Sequence, residues 1–218
     1  MDLLDPRLGD HILHSSWHTL TVHRLYEALS WRYKDRSDIL VSSQLKMIWG
    51  IPGLPNPSPD LVLIPGVRDK DRIRNDFRVE DQGTQPALVL EVVSDEPEHW
   101  RADHEKKVGI YERVGVPEYL VIDPPYTPSG CRLTGYRLNK AGRYDPIPPD
   151  SQGRILSVTT GLWFAPAGGT IDLIDAETGG RLLTDSEALE RSNEALERSE
   201  KEIARLRAEL ERMRNSKS

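Results

Sequence analysis

The sequence predicts an α/β domain that is followed by a long C-terminal helix. Two apolar runs, residues 87–93 and 118–123, have the length and composition of buried strands, and a helical segment lies between them. A strand, a helix and a second strand at this spacing are typical of a βαβ unit. The last 35 residues instead follow a seven-residue repeat and contain no glycine or proline. We therefore predict a domain over residues 1–183 and a helical appendage over residues 184–218.

Composition and charge exclude several classes of protein. Of the 218 residues, 37% are hydrophobic and 29% are charged, and no apolar run approaches the ~20 residues that a membrane-spanning helix needs. The acidic N-terminus lacks the basic start and apolar stretch of a signal peptide. The single cysteine, Cys131, can form neither an internal disulfide nor a thiolate metal site. We therefore expect a cytoplasmic protein without membrane contact, and the net charge of -6 argues against non-specific coating of nucleic acid.

The N-terminal part predicts a helix, a strand and a loop. Apolar residues recur at helical spacing along residues 16–33, which indicates one buried face. These residues are Val22, Leu25, Tyr26, Leu29 and Tyr33. Residues 39–49 are apolar with broken alternation, which predicts a strand. Residues 50–59 contain four prolines and two glycines, so they form a loop.

The next part predicts two strands of the sheet. Asp60 opens a short apolar strand over residues 60–64, and a polar loop follows over residues 69–85. Residues 87–93 are apolar at every position except Glu91. Such a run is typical of a central strand that is covered on both faces.

The rest of the domain predicts one more helix and several strands. The helix covers residues 103–114, where a glycine and a proline end it, and a buried strand follows over residues 118–123. Residues 133–144 have the pattern of a hairpin around an Asn-Lys-Ala-Gly turn. Two further short strands are predicted over residues 162–164 and 171–174.

The C-terminal segment predicts a coiled coil. The hexapeptide EALERS occurs at residues 187–192 and again at residues 194–199. The first seam position is occupied by Leu182, Leu189, Leu196, Ile203 and Leu210. Leu206 and Met213 fill the second seam position, which serines occupy in the two earlier heptads. Because the repeat persists for over three heptads, we favour a coiled coil over a single solvated helix.

Polar residues in apolar surroundings indicate a candidate site. Glu91 lies inside an apolar strand, where a carboxylate is costly unless it is paired or binds a cation. Asp60 begins a neighbouring strand directly after a proline. Asp103, Lys107 and Tyr111 are spaced i, i+4 and i+8, which places them on one helix face. Two carboxylates and an ammonium suit metal-assisted phosphodiester hydrolysis, because Mg²⁺ takes carboxylate oxygens and keeps several waters.

Each of these residues also has a purely structural interpretation. Asp103 and Lys107 could form a simple ion pair worth ~0.3–0.5 kcal/mol on a helix surface. Asp60 could close a turn after the proline-rich loop. Glu91 could pair with an arginine. Spacing alone leaves both interpretations open.

A series of short motifs resembles a known family. The motifs occur in the order PSPDLVLIPG, PALVLEVVSDE, D-x-x-x-K-x-x-x-Y and GVPEYLVIDP, and the similarity continues through LTGYRL, SVTTGLWF and ETGGRLLT. Over roughly residues 16–184 the chain closely resembles the Uma-two family of restriction-endonuclease-like proteins, a former domain of unknown function in the PD-(D/E)XK nuclease superfamily. The resemblance implies a restriction-endonuclease-like mixed sheet flanked by helices, with the site at one sheet edge.

The resemblance also implies roles for individual residues. Asp60 matches the aspartate of the PD motif and Glu91 matches the acidic residue of (D/E)XK, so both would bind the metal, Mg²⁺ or Mn²⁺. The usual lysine of that motif is replaced by Val93. The family supplies the ammonium from the following helix instead, which makes Lys107 the matching residue.

Four further residues are candidates for the same site. Lys106 is the neighbour of the matching lysine, ~100° round the helix. Glu27 could match the acidic residue that the N-terminal helix often contributes, although a solvated helix position is the stronger interpretation. Asp103 and Tyr111 share the helix face of the lysine.

Two functions are compatible with these observations. The first is a Mg²⁺-dependent endonuclease that hydrolyses phosphodiester bonds, with DNA as the expected substrate and a homodimer formed through the coiled coil. The second is a catalytically inactive interaction protein that keeps the nuclease fold and recruits partners through its C-terminal coiled coil. The acidic net charge and Val93 favour the second, whereas the carboxylate pair favours the first. We expect the endonuclease.

Overall fold

The structure is a computed structural model that describes residues 6–73, 75–94, 100–125 and 130–215. The chain divides into two compact units, Met1–Leu182 and Leu183–Ser218. Helices α1–α4 span Pro6–Arg32, Val79–Gln82, Lys107–Val114 and Asp185–Asn215. A 3₁₀ turn covers Lys70–Arg72, and a π-helical turn over Ala102–Lys106 leads directly into α3. Strands β1–β11 span Ile39–Ser42, Lys46–Ile48, Leu61–Pro65, Asp76–Arg78, Leu88–Val92, Glu118–Asp123, Arg132–Leu138, Tyr144–Ile147, Ile155–Ser157, Leu162–Ala167 and Thr170–Asp175.

Six strands form the main sheet of the first unit in the order β1-β3-β5-β6-β7-β8. Strands β5 and β6 run parallel, and the other neighbouring pairs run antiparallel. The two parallel strands are connected by the helical segment that ends with α3. The structure therefore confirms the predicted α/β class with a mixed sheet.

Strand β5 separates two hydrophobic cores. Its alternate side chains point to opposite faces of the sheet. Leu88 and Leu90 pack in a core with α1 and the strands β9–β11. Val89, together with Val93 just beyond the strand, packs in a second core with α3, β2 and β4. Glu91 lies on this second face, so its carboxylate is fully enclosed, with 1% exposure.

A three-stranded antiparallel sheet of order β11-β10-β9 packs with α1 in the first core. Polar contacts fix the helix against this sheet. The contacts join Trp17 Nε1 to the Gly169 carbonyl at 2.6 Å, Arg24 to Asp172 at 3.0 Å and Arg32 to Asp175 at 2.7 Å. The position of α1 is therefore set by the last hairpin of the unit.

The predicted strand over residues 39–49 is interrupted. Gln44 has a φ of 52°, which turns the chain between β1 and β2. Strand β2 then leaves the main sheet and pairs in parallel with β4. Strand β4 lies inside the segment that the sequence predicts as a polar loop. The reason is burial, because Met47 and Phe77 at the centres of these strands are almost fully enclosed.

Other elements also differ from the prediction, among them the short helix α2 inside the segment predicted as a polar loop. Helix α1 begins at Pro6, ten residues before the apolar pattern starts, since proline is well suited to a first helical position. Strand β9 was not predicted, because three residues are too few to show an alternation.

A buried carboxylate forms a hydrogen-bond network at the start of β6. Glu118 has no exposed surface and accepts hydrogen bonds from the hydroxyls of Ser157 and Thr159, both at 2.6 Å. It also accepts a bond from Arg137 Nε at 2.8 Å. These bonds hold the pKa of Glu118 below its ordinary value, although burial alone would raise it.

The second unit consists of α4. Thr184 and Glu187 form a capping box at its start, with backbone-to-side-chain bonds of 3.0 and 3.2 Å. The described apolar side chains along the heptads are 46–63% exposed, and these are Leu189, Leu196, Ile203, Leu206 and Met213. Leu182, which shares their heptad position, lies before the helix and packs on the first unit's core, and the side chain of Leu210 lies outside the described residues.

No helix within the described ranges is long and apolar enough to cross a membrane.

Candidate active site

Two carboxylates meet where β3 begins and β5 ends. The strands are antiparallel, with Leu61 opposite Leu90, so Asp60 comes to lie beside Glu91. The Asp60 N–H donates to Glu91 Oε2 at 3.2 Å, and the Val92 N–H donates to Asp60 Oδ2 at 2.8 Å. Sheet register therefore brings together two acidic residues that are 31 positions apart.

The helical segment over residues 100–114 supplies the groups that face Glu91. Lys107 Nζ lies 2.9 Å from Glu91 Oε1 and 2.7 Å from Asp103 Oδ1. The Tyr111 hydroxyl donates to the same Glu91 oxygen at 3.0 Å. The buried glutamate is thus paired with a lysine, and the predicted helix face points at it.

The position of the usual lysine is a core position in this protein. Val93 is 1% exposed and belongs to the hydrophobic core between the sheet and α3. An ammonium at this position would be buried among apolar side chains. Lys107 brings its charge to Glu91 from the helix instead.

The two carboxylates differ in their electrostatics. Burial acts to raise the pKa of Asp60, but hydrogen bonds from His18 and from the Val92 N–H outweigh it, and the pKa lies below its ordinary value. Burial raises the pKa of Glu91 to about 8, because the nearby Lys107 offsets only part of the lost hydration. A further cation beside Glu91 would supply the charge that its surroundings lack.

Burial and neighbouring charges also shift the pKa values of Asp103 and Lys107. Burial raises the pKa of Asp103, with Lys107 acting against it. Burial also acts to lower the pKa of Lys107, but Glu91 and Asp103 outweigh it and hold the pKa above its ordinary value. Lys107 therefore carries its proton between the two acidic groups.

The sequence analysis did not identify His18 as part of this cluster. Its Nε2 lies 3.2 Å from Asp60 Oδ2, and its side chain is 21% exposed. The hydrogen bond with Asp60 raises the pKa of His18. No spacing pattern connects residues 42 positions apart, so only the packing of α1 shows this contact.

A cleft of about 360 Å³ gives access to the cluster. Its lining includes His18, Asp60, Glu91, Asp103 and Lys107. Tyr111 lies beneath it and is fully buried.

Two of the predicted candidates lie outside this cleft. Glu27 lies 3.4 Å from His23 on the same face of α1. Lys106 is exposed, and it is not among the residues that line the cleft.

The donor groups are compatible with Mg²⁺. Within the described residues, no group of three or more His, Cys, Asp or Glu side chains surrounds a common point. Mg²⁺ does not need such a cage, because it binds proteins through one or two carboxylates and keeps its other ligands as water. Asp60 and Glu91 supply this pair of oxygen ligands at the floor of an open cleft.

Comparison with known proteins gives a match over most of the chain. The family model Uma2, described as "Putative restriction endonuclease", matches residues 12–167. No curated protein sequence matches the chain. Among solved structures, the chain is similar to a "putative nuclease belonging to DUF820" from Anabaena variabilis ATCC 29413, at 16% identity and a TM-score of 0.48. That similarity covers 68% of this chain and 77% of the other.

Proposed function

Because the chain belongs to the Uma2 family of restriction-endonuclease-like proteins, we propose that it is a metal-dependent endonuclease that hydrolyses phosphodiester bonds in DNA. The observation that carries the proposal is the contact of Asp60, Glu91 and Lys107 at one cleft. Two carboxylates and an ammonium form the combination that phosphodiester hydrolysis with a divalent cation uses.

Each residue of the cluster has a distinct task in this proposal. Asp60 and Glu91 would hold Mg²⁺ or Mn²⁺, and the bound metal would lower the pKa of a water and polarise the phosphate. Lys107 orients the attacking water and offsets the negative charge that develops on the phosphate. Asp103 keeps the ammonium in place from its other side, and the Tyr111 hydroxyl fixes the Glu91 carboxylate.

The proposal is tested by cleavage of plasmid DNA with purified protein in Mg²⁺ or Mn²⁺. We expect Asp60→Asn and Glu91→Gln to lose metal-dependent cleavage, and Lys107→Met to lose on the order of 10²–10³-fold in rate. Glu27→Gln and Lys106→Met are the matched controls, because both residues lie outside the cleft.

Calorimetric titration of Mg²⁺ provides a second readout that does not depend on DNA. The heat of binding should be present in the wild type and absent in Glu91→Gln. Undiminished cleavage by Asp60→Asn or Glu91→Gln would refute the assignment of the site.

A catalytically inactive interaction protein is the second candidate function. The exposed apolar seam of α4 and the apolar residue at position 93 favour it. On this alternative the wild type shows neither metal binding nor cleavage, whereas removal of α4 abolishes capture of its partner. On the endonuclease proposal, cleavage survives that removal.

We also propose that α4 forms a parallel homodimer. Glu202 and Glu209 precede the seam residues of the last two heptads, and Arg207 and Arg214 follow them in sequence. In a parallel pair each glutamate faces the arginine five positions later in the other copy, whereas an antiparallel pair lacks these glutamate–arginine contacts. Ile203 and Leu206 at successive seam positions also suit two strands.

A further inference from the structure

A second cleft lies beside the candidate active site. Its volume is about 570 Å³, which is within the range of ligand pockets. Leu133, Cys131 and several prolines give it a largely apolar lining, and Trp100, Asp123 and Arg132 also border it. None of these residues has a part in the proposed hydrolysis.

The Trp100 ring stacks on one neighbouring aromatic ring. Its ring lies on the His104 ring with a centroid distance of 4.5 Å and an interplanar angle of 28°. His104 is held in turn by Asp123, with 2.8 Å between Nε2 and Oδ1. Trp100 is nevertheless 38% exposed and borders the second cleft, so part of its side chain is accessible there.

Arg132 supplies a fixed positive charge at the same cleft. Its Nε donates to Asp123 Oδ2 at 3.0 Å, while 68% of its side chain remains exposed. Asp123 and Arg132 also face each other in the register of β6 and β7. The guanidinium is therefore positioned by one carboxylate, and its outer donors can reach a phosphate or the edge of a base.

The two clefts share one helical turn. Trp100 borders the second cleft, and Asp103, three residues later on the same helical segment, lines the catalytic cleft. Three residues correspond to an axial rise of about 5 Å. The two clefts are therefore bordered by adjacent parts of one helical segment, and this proximity suits neighbouring nucleotides of one strand.

We propose that the second cleft binds an unpaired nucleobase of the substrate strand, stacked on Trp100 and accompanied by a contact from Arg132 to its phosphate. This inference rests on the proposed endonuclease function and specifies its substrate class. Bases within a duplex cannot enter the cleft without the energetic cost of unstacking and unpairing, which is smallest at mismatches and single-stranded positions. The substrate is therefore DNA with an unpaired base beside the cleaved bond.

The test compares two fluorescein-labelled DNA hairpins that differ only in one unpaired adenine within the stem, and both are closed by a polyethylene glycol linker so that neither has unpaired loop bases. Binding is measured by fluorescence anisotropy in EDTA at fixed salt, so that no cleavage takes place. We expect the wild type to bind the hairpin with the unpaired base about 5- to 100-fold more tightly, in line with the contribution of one base stacked on an aromatic ring. Trp100→Ala should remove this preference.

Two further variants separate stacking from loss of fold. Trp100→Phe keeps a ring and should keep part of the preference. Trp31→Ala is the matched control and should keep all of it, because Trp31 is 40% exposed on α1 and its ring is covered by Lys34. A 2-aminopurine at the unpaired position should be quenched by the wild type and not by Trp100→Ala.

The results distinguish the subsite from the hydrolytic function. Equal binding of the two hairpins by the wild type, no binding of either, or a preference that survives in Trp100→Ala would overturn the subsite. Cleavage of both hairpins is then scored with Mg²⁺. A preference without cleavage supports the subsite and contradicts the endonuclease, and cleavage without a preference does the reverse.

Discussion

Val93 and Lys107 together show how single residues decide the chemistry of this site. The face of β5 that carries Glu91 continues directly into a hydrophobic core, where Val93 contributes packing and an ammonium would be desolvated. The helix offers a position from which a long side chain reaches the same carboxylate and remains 22% exposed. The charge is thus available to a ligand in the cleft, and the core stays apolar.

Gly135 of β7 carries a stability prediction. A Cβ at this position would lie 2.9 Å from Leu120 Cδ2 and 3.2 Å from Ile155 Cδ1. We expect Gly135→Ala to lower the free energy of unfolding by about 1–3 kcal/mol through overpacking. Gly109→Ala is the control, because nothing lies within 4 Å of its added methyl and the backbone is helical.

Urea denaturation of both glycine variants measures this difference. Gly109→Ala should raise the free energy of unfolding by about 0.5–1 kcal/mol, since alanine is the better helix former. Equal stability of Gly135→Ala and the wild type would show that the two sheets can move apart at no cost.

The length of each strand explains whether the sequence predicts it. Strands β5 and β6 were predicted because each is a continuous apolar run bounded by loops. The pairing of β2 with β4 was not, because each has three residues and the partners are brought together only by tertiary packing. Asp60, Glu91 and Lys107 are candidates from the sequence because of their apolar surroundings, their spacing and the motif order, whereas the contact of His18 with Asp60 depends on where α1 packs.

The proposed dimer of α4 allows a prediction about the relative direction of its two helices. In a parallel, in-register pair each seam residue faces its own copy, so Met213→Cys alone should give a covalent dimer under mild oxidation. Leu189→Cys, at the other seam position, should do the same. In an antiparallel pair neither single variant links, and only a mixture of the two forms a disulfide.

Non-reducing electrophoresis of the full chain distinguishes these arrangements. The wild type serves as the control, because its one cysteine, Cys131, is buried and should give no covalent dimer. A linked product that appears only when the two variants are mixed would contradict the parallel arrangement.

At the scale of the whole molecule, Glu118 connects stability to pH. Its hydrogen bonds lower its pKa in the folded state, so the folded protein binds its proton less readily than the unfolded chain, whose glutamates have a pKa of about 4.3. Its contribution to stability is therefore complete above that pH and is lost as the pH falls through the lower folded pKa. We expect Glu118→Gln to be less stable than the wild type by about 1.5–3 kcal/mol at neutral pH.

Thermal or urea unfolding between pH 7 and pH 3 tests this expectation. The stability of Glu118→Gln should fall less steeply with acid than that of the wild type. Glu177→Gln, at an exposed position in a turn, should leave the steepness unchanged. Parallel curves for Glu118→Gln and the wild type would contradict the proposed role of the network.

The attachment of α1 to the last hairpin sets the order of events during synthesis. Residue 18 leaves the ribosome early, but the contacts that seat its helix involve residues 169, 172 and 175. Domains form as units once their chain is available, so a nascent polypeptide has both carboxylate strands long before α1 is held beside them. The cleft therefore gains its complete lining, His18 included, only when almost the whole first unit has been translated.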